Sequence, residues 1–423
     1  MITDVNKNKH FSDDLLKDRT VQNLLDELSP DSKSPYIKFP NGSDCTISAI
    51  NKRWQHLAKD NNKSIAHAST LYAGEDLNGY ASNIENCIGT VKVPVGIAGP
   101  IRIRGTYAKG DFLLPMATTE AALVASYHRG SVLISKAGGC SAMLMSEGVT
   151  RSPAFAFDTI ANLAIFSHWV ILNKEKLTEV AKKTSNYCQL IDIRIAAEGN
   201  HLYLLCDFTT GDAAGQNMVT IATQAICEYI ITHTPVQPKF WFVEANCSGD
   251  KKSTAQSYTS VRGKKVSVEV RIPEKLVKRF LHTTPKRMVD CWQMSALGGV
   301  ISGTIGVQGH YANSLAAMFI ACGQDAACVA EAAVGITRFE ICDDGALYCA
   351  VTLPNLIVGT VGGGTKLPSQ KACLEMMHLP KENQARAFAE ICAAAALAGE
   401  ISIIGSLAAG DFTSAHKSLA RDR

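Results

Sequence analysis

Residues 240–252 hold the pattern from which the fold can be worked out, Phe-Trp-Phe-Val-Glu-Ala-Asn-Cys-Ser-Gly-Asp-Lys-Lys. The apolar run at 240–243 is typical of a buried strand. It leads through small residues into three adjacent charges, Asp250, Lys251 and Lys252. One interpretation is a solvated strand-to-helix turn with an Asp cap. The other is an anion-binding loop, in which two ammonium groups face an anionic substrate or a developing oxyanion and Asp250 holds one of them in place.

The segment before this loop differs in its pattern of apolar runs from the Gly- and Ala-rich sequence on either side of it. Strand-like runs at 154–157, 189–196, 201–208 and 240–243 alternate with helical runs that end near 172 and span 213–231. This order predicts a split-βαβ, ferredoxin-like unit over residues 153–242. Because Gly- and Ala-rich sequence both precedes and follows this unit, we expect it to be inserted in a larger domain.

The predicted fold class is therefore α+β. We expect a large mixed helical and sheet domain formed by residues 85–152 and 243–410, with the ferredoxin-like unit inserted between these two parts. Residues 1–84 form an N-terminal helical segment in this prediction, and residues 411–423 form a mobile tail. Within the N-terminal segment, an amphipathic pattern predicts one helix over 15–28, capped by Ser12 or Asp13, and a second over 50–57.

Composition excludes several classes of function. A chain of 423 residues is long enough for two or three domains. The net charge of +3 is spread along the chain, so we expect no nucleic-acid partner. Fourteen cysteines without a Cys-x-x-Cys pair or a signal-like N-terminus indicate reduced thiols in a cytoplasmic protein without a metal site. The apolar tract at 392–410 contains Glu400 and much Ala and Gly, so we do not expect it to cross a membrane.

Glu120 is the first candidate catalytic acid. It ends the stretch 115–120 and precedes a predicted buried helix at 121–126, whose N-cap would be Thr118 or Thr119. Glu120 would then be either a first-turn acid that pairs with the helix dipole or a proton donor. The dipole would lower its pKa and desolvation would raise it, so the direction of the shift stays open at this point.

Asp325 is the second candidate. The run 315–333 is almost entirely small or apolar and predicts a single long helix. Burying a carboxylate there would lower the stability of the fold by roughly several kcal/mol unless a cation were paired with it. Lys251 is the cation that we expect to pair with Asp325, and a solvent-facing Asp325 is the alternative.

Two glycine-rich stretches could bind an anion. Residues 211–218 open a predicted helix with small residues, where a pyrophosphate could approach main-chain N–H groups. Residues 359–365, Gly-Thr-Val-Gly-Gly-Gly-Thr, follow an apolar strand and precede a helix. Such turns are often only tight connections. The chain contains no G-x-G-x-x-G, which disfavours a Rossmann domain.

Six separated motifs show a resemblance to a known family. They are E-N-C-I-G-T-V-K-V-P-V-G-I-A-G-P at 85–100, P-M-A-T-T-E at 115–120, D-A-A-G-Q-N-M at 212–218, G-D-K-K at 249–252, A-C-G-Q-D-A-A at 321–327 and G-T-V-G-G-G-T at 359–365. In this order they resemble the catalytic portion of the 3-hydroxy-3-methylglutaryl-CoA (HMG-CoA) reductases, over residues 85–421. The resemblance implies a small nucleotide-binding domain inserted in a large CoA-binding domain. It also implies a homodimer or dimer of dimers with the site at the subunit interface. The membrane-anchor region of eukaryotic members has no counterpart, so we expect a cytoplasmic, prokaryote-like form.

The implied activity is the reduction of HMG-CoA to mevalonate and CoA by two successive hydride transfers from NADPH, with NADH as the alternative cofactor. The family's catalytic positions fall on Glu120, Lys251, Asp325 and His416. Lys251 would stabilise the developing oxyanion, Glu120 would protonate it, and Asp325 would hold Lys251 and couple to Glu120. His416, with a usual pKa of about 6.5, would protonate a CoA thiolate of pKa about 8.5.

The resemblance also assigns binding residues. Substrate contacts fall on Arg151, Asn246, Asp250, Lys252 and Asn313, with His310, Ser126 and Arg129 on the CoA side. Cofactor contacts fall on Ser185, Asn186, Asp212, Gly215, Asn217, Met218, Val361, Gly362, Gly363 and Arg421.

Three positions depart from the pattern of the animal and plant members. The Ser-Arg pair that contacts the NADP 2′-phosphate is Ser185-Asn186 here, although Lys182, Lys183 and Arg421 could supply charge. A lysine expected in segment 291–295 is missing. A serine expected six residues before Asp250 is Glu244, an extra acid that should weaken binding of an anionic substrate. These departures leave two alternatives, a divergent acyl-CoA-binding homologue with little catalysis and a reductase acting on another acyl-CoA.

Overall fold

The computed structural model describes residues 20–28, 42–57, 77–260 and 262–411. The chain forms two compact units, residues 1–90 and 91–423. In the first unit, helix α1 spans Val21–Leu28, helix α2 spans Ile47–Leu57 and a 3-10 turn spans Leu77–Tyr80. The predicted second helix is thus confirmed. Of the predicted first helix, the part before residue 20, with its caps Ser12 and Asp13, lies outside the described residues.

The second unit is built on a sheet whose strands run in the order β9-β10-β8-β3-β1-β2. Their bounds are β1 Val95–Gly105, β2 Lys109–Ala117, β3 Cys140–Arg151, β8 Gly263–Ile272, β9 Ile336–Ile341 and β10 Leu347–Leu356. All neighbours are antiparallel except β1 and β3. Along β8, Val266, Val268, Val270 and Ile272 alternate with more exposed residues and point into the core.

A ferredoxin-like arrangement follows β3. Strand β4 spans Ala154–Ala156, helices α4 and α5 span Ile160–Leu172 and Lys174–Lys182, and strands β5 and β6 span Gln189–Glu198 and His201–Thr209. Helix α6 then spans Gln216–His233 and strand β7 spans Phe240–Phe242. The strand order β7-β4-β6-β5, with every neighbour antiparallel, is that of a split-βαβ unit. Its own hydrophobic core is formed by residues between Val149 and Trp241. The predicted α+β class and the ferredoxin-like arrangement are both confirmed.

Strand β3 joins the two sheets physically. Its first half pairs with β8, and its last residues, Val149–Arg151, pair with β6 of the ferredoxin-like unit. The strand changes register between Leu144 and Ser146, and such an irregularity bends a strand and re-aims its end. Arg151, at the end of β3, therefore lies at the boundary between the large sheet and the ferredoxin-like unit.

The longest described helix, α12 (Gln384–Ala409), lies at the centre of the large domain. It packs on helix α3 (Leu123–Lys136) and on β3, β8 and β10. A Cβ at Gly130 of α3 would lie 2.0 Å from the carbonyl oxygen of Ala398, so only glycine permits this close crossing. By length and composition alone α12 is apolar enough to cross a membrane. In the folded chain, 89% of its most apolar window is buried.

Two predicted helix boundaries are wrong. Helix α3 begins at Leu123 after Ala122, which has a left-handed φ of 67°, so neither Thr118 nor Thr119 is its N-cap. Residues 115–117 instead complete strand β2. The predicted helix at 315–333 is broken into α9 (Tyr311–Ala321), a 3-10 turn (Ala326–Cys328) and α10 (Val329–Ala332).

The break after α9 has a packing cause. Gly323 adopts a φ of +66°, and a Cβ there would lie 2.3 Å from the carbonyl oxygen of Gly364. The chain must therefore leave the helix to pass the second glycine-rich loop. The remaining helices are α7 (Glu274–Leu281), α8 (Pro285–Ser302) and α11 (Pro368–Glu375).

Candidate active site

The loop that follows β7 has an unusual backbone. Asn246, Gly249 and Lys251 all have left-handed φ values, of 61°, 73° and 57°. This conformation is uncommon for residues with a Cβ, and it persists only where surrounding contacts hold it. It turns the Lys251 ammonium group toward Asp325, and Lys251 Nζ lies 2.7 Å from Asp325 Oδ2.

The predicted ion pair between Lys251 and Asp325 is thus confirmed, but the reason given for it is wrong. Their side chains are 42% and 46% exposed, so Asp325 is not a buried charge that requires a partner. Exposed pairs stabilise a fold by at most about 1 kcal/mol. The pair instead orients the lysine, and the Asp325 hydrogen bond raises the pKa of Lys251. The Asp325 carboxylate is itself fixed, because it also accepts the main-chain N–H of Ala327 at 3.0 Å.

A row of alternating charges lies beneath this loop. Arg151 Nη1 contacts Glu244 Oε2 at 3.3 Å and Asp250 Oδ2 at 3.1 Å. Arg262 Nη2 contacts Asp250 Oδ1 at 2.8 Å, and Arg262 Nη1 contacts Glu331 Oε2 at 2.5 Å. Both oxygens of Asp250 are therefore engaged within the protein. Asn246 and Lys252, also predicted substrate contacts, are exposed on the same loop.

Glu244 does not have the surroundings expected from sequence. Its carboxylate accepts hydrogen bonds from Arg151, from the main-chain N–H groups of Ser152 and Asn246, and from the Ser248 hydroxyl. These hydrogen bonds tie the loop residues Asn246 and Ser248 to Arg151 and Ser152 at the end of β3. It is a support of the loop and not an acid that stands free to repel a substrate.

A cleft of about 500 Å³ opens beside Asp325. The two glycine-rich stretches form its walls and are joined by a bridge between Ala213 and Val361. Gly215, with a φ of 82°, is the N-cap of α6, so main-chain N–H groups of that helix point toward the cleft. Of the predicted cofactor residues, the cleft is lined by Gly215, Asn217, Met218, Val361, Gly362 and Gly363.

The other predicted cofactor residues lie elsewhere. The Asp212 carboxylate accepts the main-chain N–H of Ala385 at 2.9 Å, so it fastens the start of α12. Ser185 and Asn186 lie in the connection between α5 and β5 and do not line the cleft. Arg421 is outside the described residues, as is the candidate catalytic residue His416.

The predicted CoA-side residues form a second cluster against α12. Ser126 Oγ lies 2.9 Å from Ser402 Oγ, and Arg129 Nη2 donates to the Ser402 carbonyl at 2.8 Å. The main-chain N–H of His310 donates to Glu400 Oε1 at 2.9 Å. Asn313 lies one turn further along, at the start of α9.

Glu120 belongs to this second cluster. It is exposed on the turn before α3, and its main-chain N–H donates to Thr118 Oγ1 at 3.0 Å. Burial, reinforced by the carboxylates of Glu400 and Glu120, raises the pKa of Tyr127. Within the described part of the chain, Glu120 forms no hydrogen bond or ion pair with Lys251 or Asp325, so one copy of the chain does not bring these candidates into contact.

Helix α9 separates the two clusters. His310 precedes its first residue, and Asp325 follows shortly after its last. Its 11 residues correspond to a rise of about 16 Å. Charged and polar residues that sequence reasoning missed support both clusters: Gln216, Arg262 and Glu331 on the lysine side, and Glu400 and Ser402 on the CoA side. Glu331 and Glu400 are charged residues within apolar runs of the sequence, and this pattern could have indicated buried, paired carboxylates. Among the described residues, no group of three His, Cys, Asp or Glu side chains could hold a metal ion.

Comparison with known proteins identifies the family. The family model described as hydroxymethylglutaryl-coenzyme A reductase matches residues 49–421. The chain is 43% identical over 344 residues to the 3-hydroxy-3-methylglutaryl-coenzyme A reductase of Methanocaldococcus jannaschii, covering 80% of this chain and 85% of that protein. It is 39% identical over 413 residues to the enzyme of the same name from Aeropyrum pernix, covering 96% and 97% of the two chains.

A solved structure shows the same fold. The class II 3-hydroxy-3-methylglutaryl-CoA reductase of Streptococcus pneumoniae, in open conformations with NADPH bound, superposes with a TM-score of 0.64 at 17% identity. The match covers 86% of this chain and 97% of that one. The motifs, the ferredoxin-like arrangement and these similarities lead to one conclusion: the chain belongs to the hydroxymethylglutaryl-coenzyme A reductase family.

Proposed function

We propose that the protein reduces HMG-CoA to mevalonate and CoA, using two hydrides from a nicotinamide cofactor. The observation that carries this proposal is the position of the Lys251–Asp325 pair. Asp325 lines the cleft between the two glycine-rich stretches and also holds the Lys251 ammonium group. A fixed cation beside a cleft suited to a dinucleotide is the arrangement that carbonyl reduction requires.

The cleft fits a nicotinamide dinucleotide. Its glycine-rich walls allow close approach of the main chain, and the start of α6 offers N–H groups to a pyrophosphate. The residues that would hold the cofactor are Gly215, Asn217, Met218, Val361, Gly362 and Gly363. When bound, the nicotinamide supplies the hydride for each of the two reductions.

The protein's own residues handle charge and protons. Lys251 stabilises the oxygen of the thioester carbonyl as negative charge develops on it, first in the thioester and then in the aldehyde. Glu120 supplies a proton to that oxygen and takes it back when the hemithioacetal collapses to the aldehyde and its C–S bond breaks. His416 protonates the CoA thiolate that leaves, and Glu120 supplies a proton again in the second reduction. Asn246 and Lys252, exposed on the loop, contact the substrate, while Arg151 and Asp250 hold the loop beneath them.

We propose that a second copy of the chain completes the site. His310 of the CoA-side cluster and Asp325 lie at opposite ends of α9, which rises about 16 Å. Glu120 lies on the turn before α3, the helix that carries Ser126 and Arg129 of that cluster. We infer that a homodimer, alone or paired into a dimer of dimers, places Glu120 of one copy beside Lys251 of the other. Helix α8 offers a surface for such an assembly, since Met294, Leu297 and Ile301 are 76%, 67% and 88% exposed along one stripe.

NADPH is the cofactor that we propose, with NADH as an accepted alternative. Lys182 and Lys183 are exposed beside Ser185-Asn186 and supply positive charge near a 2′-phosphate in place of the missing arginine. All fourteen cysteines are free, in keeping with the cytoplasmic location that we propose. We further propose that residues 153–242 act as the nucleotide-binding domain inserted in a CoA-binding domain.

One observation favours a second candidate, a homologue that binds acyl-CoA and catalyses little. Segment 291–295, where the family's lysine is expected, lies in the middle of α8 and carries no cation. Its Trp292 side chain is instead directed to the Thr337 carbonyl, at 2.8 Å. Since Lys251 faces the carbonyl oxygen in this proposal, Lys252 would be the one lysine of the loop left to bind the substrate carboxylate.

The decisive experiment follows absorbance at 340 nm with HMG-CoA and either NADPH or NADH. We expect about two nicotinamides oxidised per HMG-CoA consumed. Lys251→Ala should lower kcat at least 10²-fold, since an oxyanion stabiliser acts mainly in the transition state. Lys252→Ala is the control and should act mainly on KM. Absence of any oxidation, with HMG-CoA still bound in calorimetry, would favour the second candidate.

A further inference from the structure

A buried ion pair lies directly beneath the Lys251 loop. The Arg262 and Glu331 side chains are 3% and 0% exposed. Arg262 Nη1 donates to both carboxylate oxygens of Glu331, at 2.6 and 2.5 Å. Neither residue has a part in the chemistry proposed above. A buried ion pair is costly to desolvate and is by itself weak evidence for stability, so its presence at this place calls for another reason.

The pair contacts two consecutive residues of the loop, Asp250 and Lys251. Glu331 Oε1 accepts the main-chain N–H of Lys251 at 3.2 Å. Arg262 Nη2 donates to Asp250 Oδ1 at 2.8 Å, so the preceding residue is held as well. The two members of the pair therefore fix consecutive residues of the loop.

The same arginine reaches the cofactor cleft. Arg262 Nη2 also donates to Gln216 Oε1 at 2.8 Å, and Gln216 is the first residue of α6 and lines the cleft. Only a planar guanidinium group with several donors can contact Glu331, Asp250 and Gln216 together. Arg262 thus joins the lysine loop to the helix end that would face the dinucleotide.

The left-handed backbone of Lys251 explains why such support is needed. A φ of 57° is unfavourable for a residue with a Cβ, and without an external contact the chain would relax. The side chain would then move away from Asp325. Glu331 holds the N–H of the residue whose backbone is least favourable. Burial raises the pKa of Glu331, and the Arg262 guanidinium group offsets part of that rise.

We propose that the Arg262–Glu331 pair is a positioning element that holds Lys251 in its left-handed conformation and aligns it with the cofactor cleft. This inference rests on the proposed function for the role of Lys251. Glu331 and Arg262 do not touch substrate in this proposal and act through Lys251 and Asp250.

The first test is a double-mutant cycle. Glu331→Gln keeps the shape of the side chain but cannot serve Arg262 and the Lys251 N–H equally well. We expect kcat to fall about 10–10²-fold, the range for a small misplacement of a catalytic group, with KM for the cofactor within about threefold. In a Lys251→Ala background the same change should have less than about a twofold effect, because the residue through which it acts is gone.

Glu390→Gln is the matched control. Glu390 is also 0% exposed, and its carboxylate accepts main-chain N–H groups of Thr106, Tyr107, Ala108 and Leu144, far in sequence from the loop. It should lower the unfolding temperature without a comparable loss of kcat. If Glu331→Gln fails to fold, as judged by circular dichroism, Arg262→Lys is used in the same cycle, since lysine keeps the charge but lacks the planar fork that spans Glu331, Asp250 and Gln216.

A second measurement does not depend on activity. Reductive methylation with ¹³C-formaldehyde labels Lys251, whose signal is assigned by its loss in Lys251→Ala, and its pKa is read by NMR titration. Displacement of Lys251 from Asp325 should lower that pKa in Glu331→Gln and leave it unchanged in Glu390→Gln. An unchanged Lys251 pKa, or a full loss of kcat that persists in the Lys251→Ala background, overturns the positioning role. A wild-type protein that oxidises neither NADPH nor NADH with HMG-CoA, while its Lys251 pKa still responds to Glu331→Gln, refutes the proposed function instead.

Discussion

Replacement of Glu244 by serine discriminates between the role expected from sequence and the role indicated by the structure. As a free acid near an anionic substrate, Glu244 would weaken binding, and its removal would improve binding. In the folded chain its carboxylate accepts hydrogen bonds from Arg151 at 3.3 Å, Ser152 N at 3.1 Å, Asn246 N at 2.7 Å and Ser248 Oγ at 3.1 Å. We therefore expect Glu244→Ser to destabilise the loop and the fold.

The size of this destabilisation follows from the loss of the ion pair between Arg151 and Glu244. The Arg151 side chain is 8% exposed, and removing the sole partner of a buried charge costs about 3–5 kcal/mol. Here Asp250 remains at 3.1 Å from Arg151, and Glu244 is itself 22% exposed. We expect roughly half of the full penalty, about 2 kcal/mol, which corresponds to about a 30-fold change in the ratio of folded to unfolded protein.

Urea unfolding followed by tryptophan fluorescence measures this loss as a lower midpoint at an unchanged slope. The KM for HMG-CoA, measured on the same variant, should rise because Asn246 loses its support. Glu244→Gln is the control, since it keeps one acceptor and should be destabilised less. A Glu244→Ser protein with the wild-type midpoint and a lower KM would show that the acid faces the substrate and that our assignment of its role is wrong.

Three further predictions concern the cleft, the ion pair and the tail. Gly323→Ala should cost at least about 2 kcal/mol, since strain at a positive φ adds to a clash with the second glycine-rich loop; Gly345→Ala, with a φ of +80° and open space around it, should show only the strain. Asp325→Asn should move the alkaline limb of the kcat profile to lower pH, because Asp325 raises the pKa of Lys251. The stabilisation from this pair is present below the usual lysine pKa of about 10.4, is lost as pH rises through the raised value, and should stay under about 1 kcal/mol since both groups are half exposed. His416→Gln should slow reduction of the thioester about 10²–10⁴-fold and spare reduction of added mevaldehyde, which releases no thiolate; equal slowing of both substrates would show that His416 does not act on the leaving group.

The sequence alone predicted the succession of elements in the ferredoxin-like unit and several features of the candidate site. Apolar runs and glycine punctuation indicated the ferredoxin-like unit, and the structure confirms that arrangement. The same reasoning paired Lys251 with Asp325 and selected both glycine-rich stretches that line the cleft. These features depend on neighbouring residues, on periodicity and on charge, all of which are present in the one-dimensional pattern.

Only the tertiary structure decided how those parts are supported. The helix predicted over 315–333 is broken, because the glycine-rich loop occupies the space that its next turn would fill. The contacts of Glu244 with the loop and the exposure of Asp325 could not be settled from the sequence, since burial depends on residues far away in the chain. Arg262 and Glu331 are 69 residues apart, so no local pattern indicates that they meet beneath Lys251. Hydrogen bonds and ion pairs between distant residues form only after the sheet and α12 have brought their elements together, and the resulting desolvation determines which charges are free to act on a substrate.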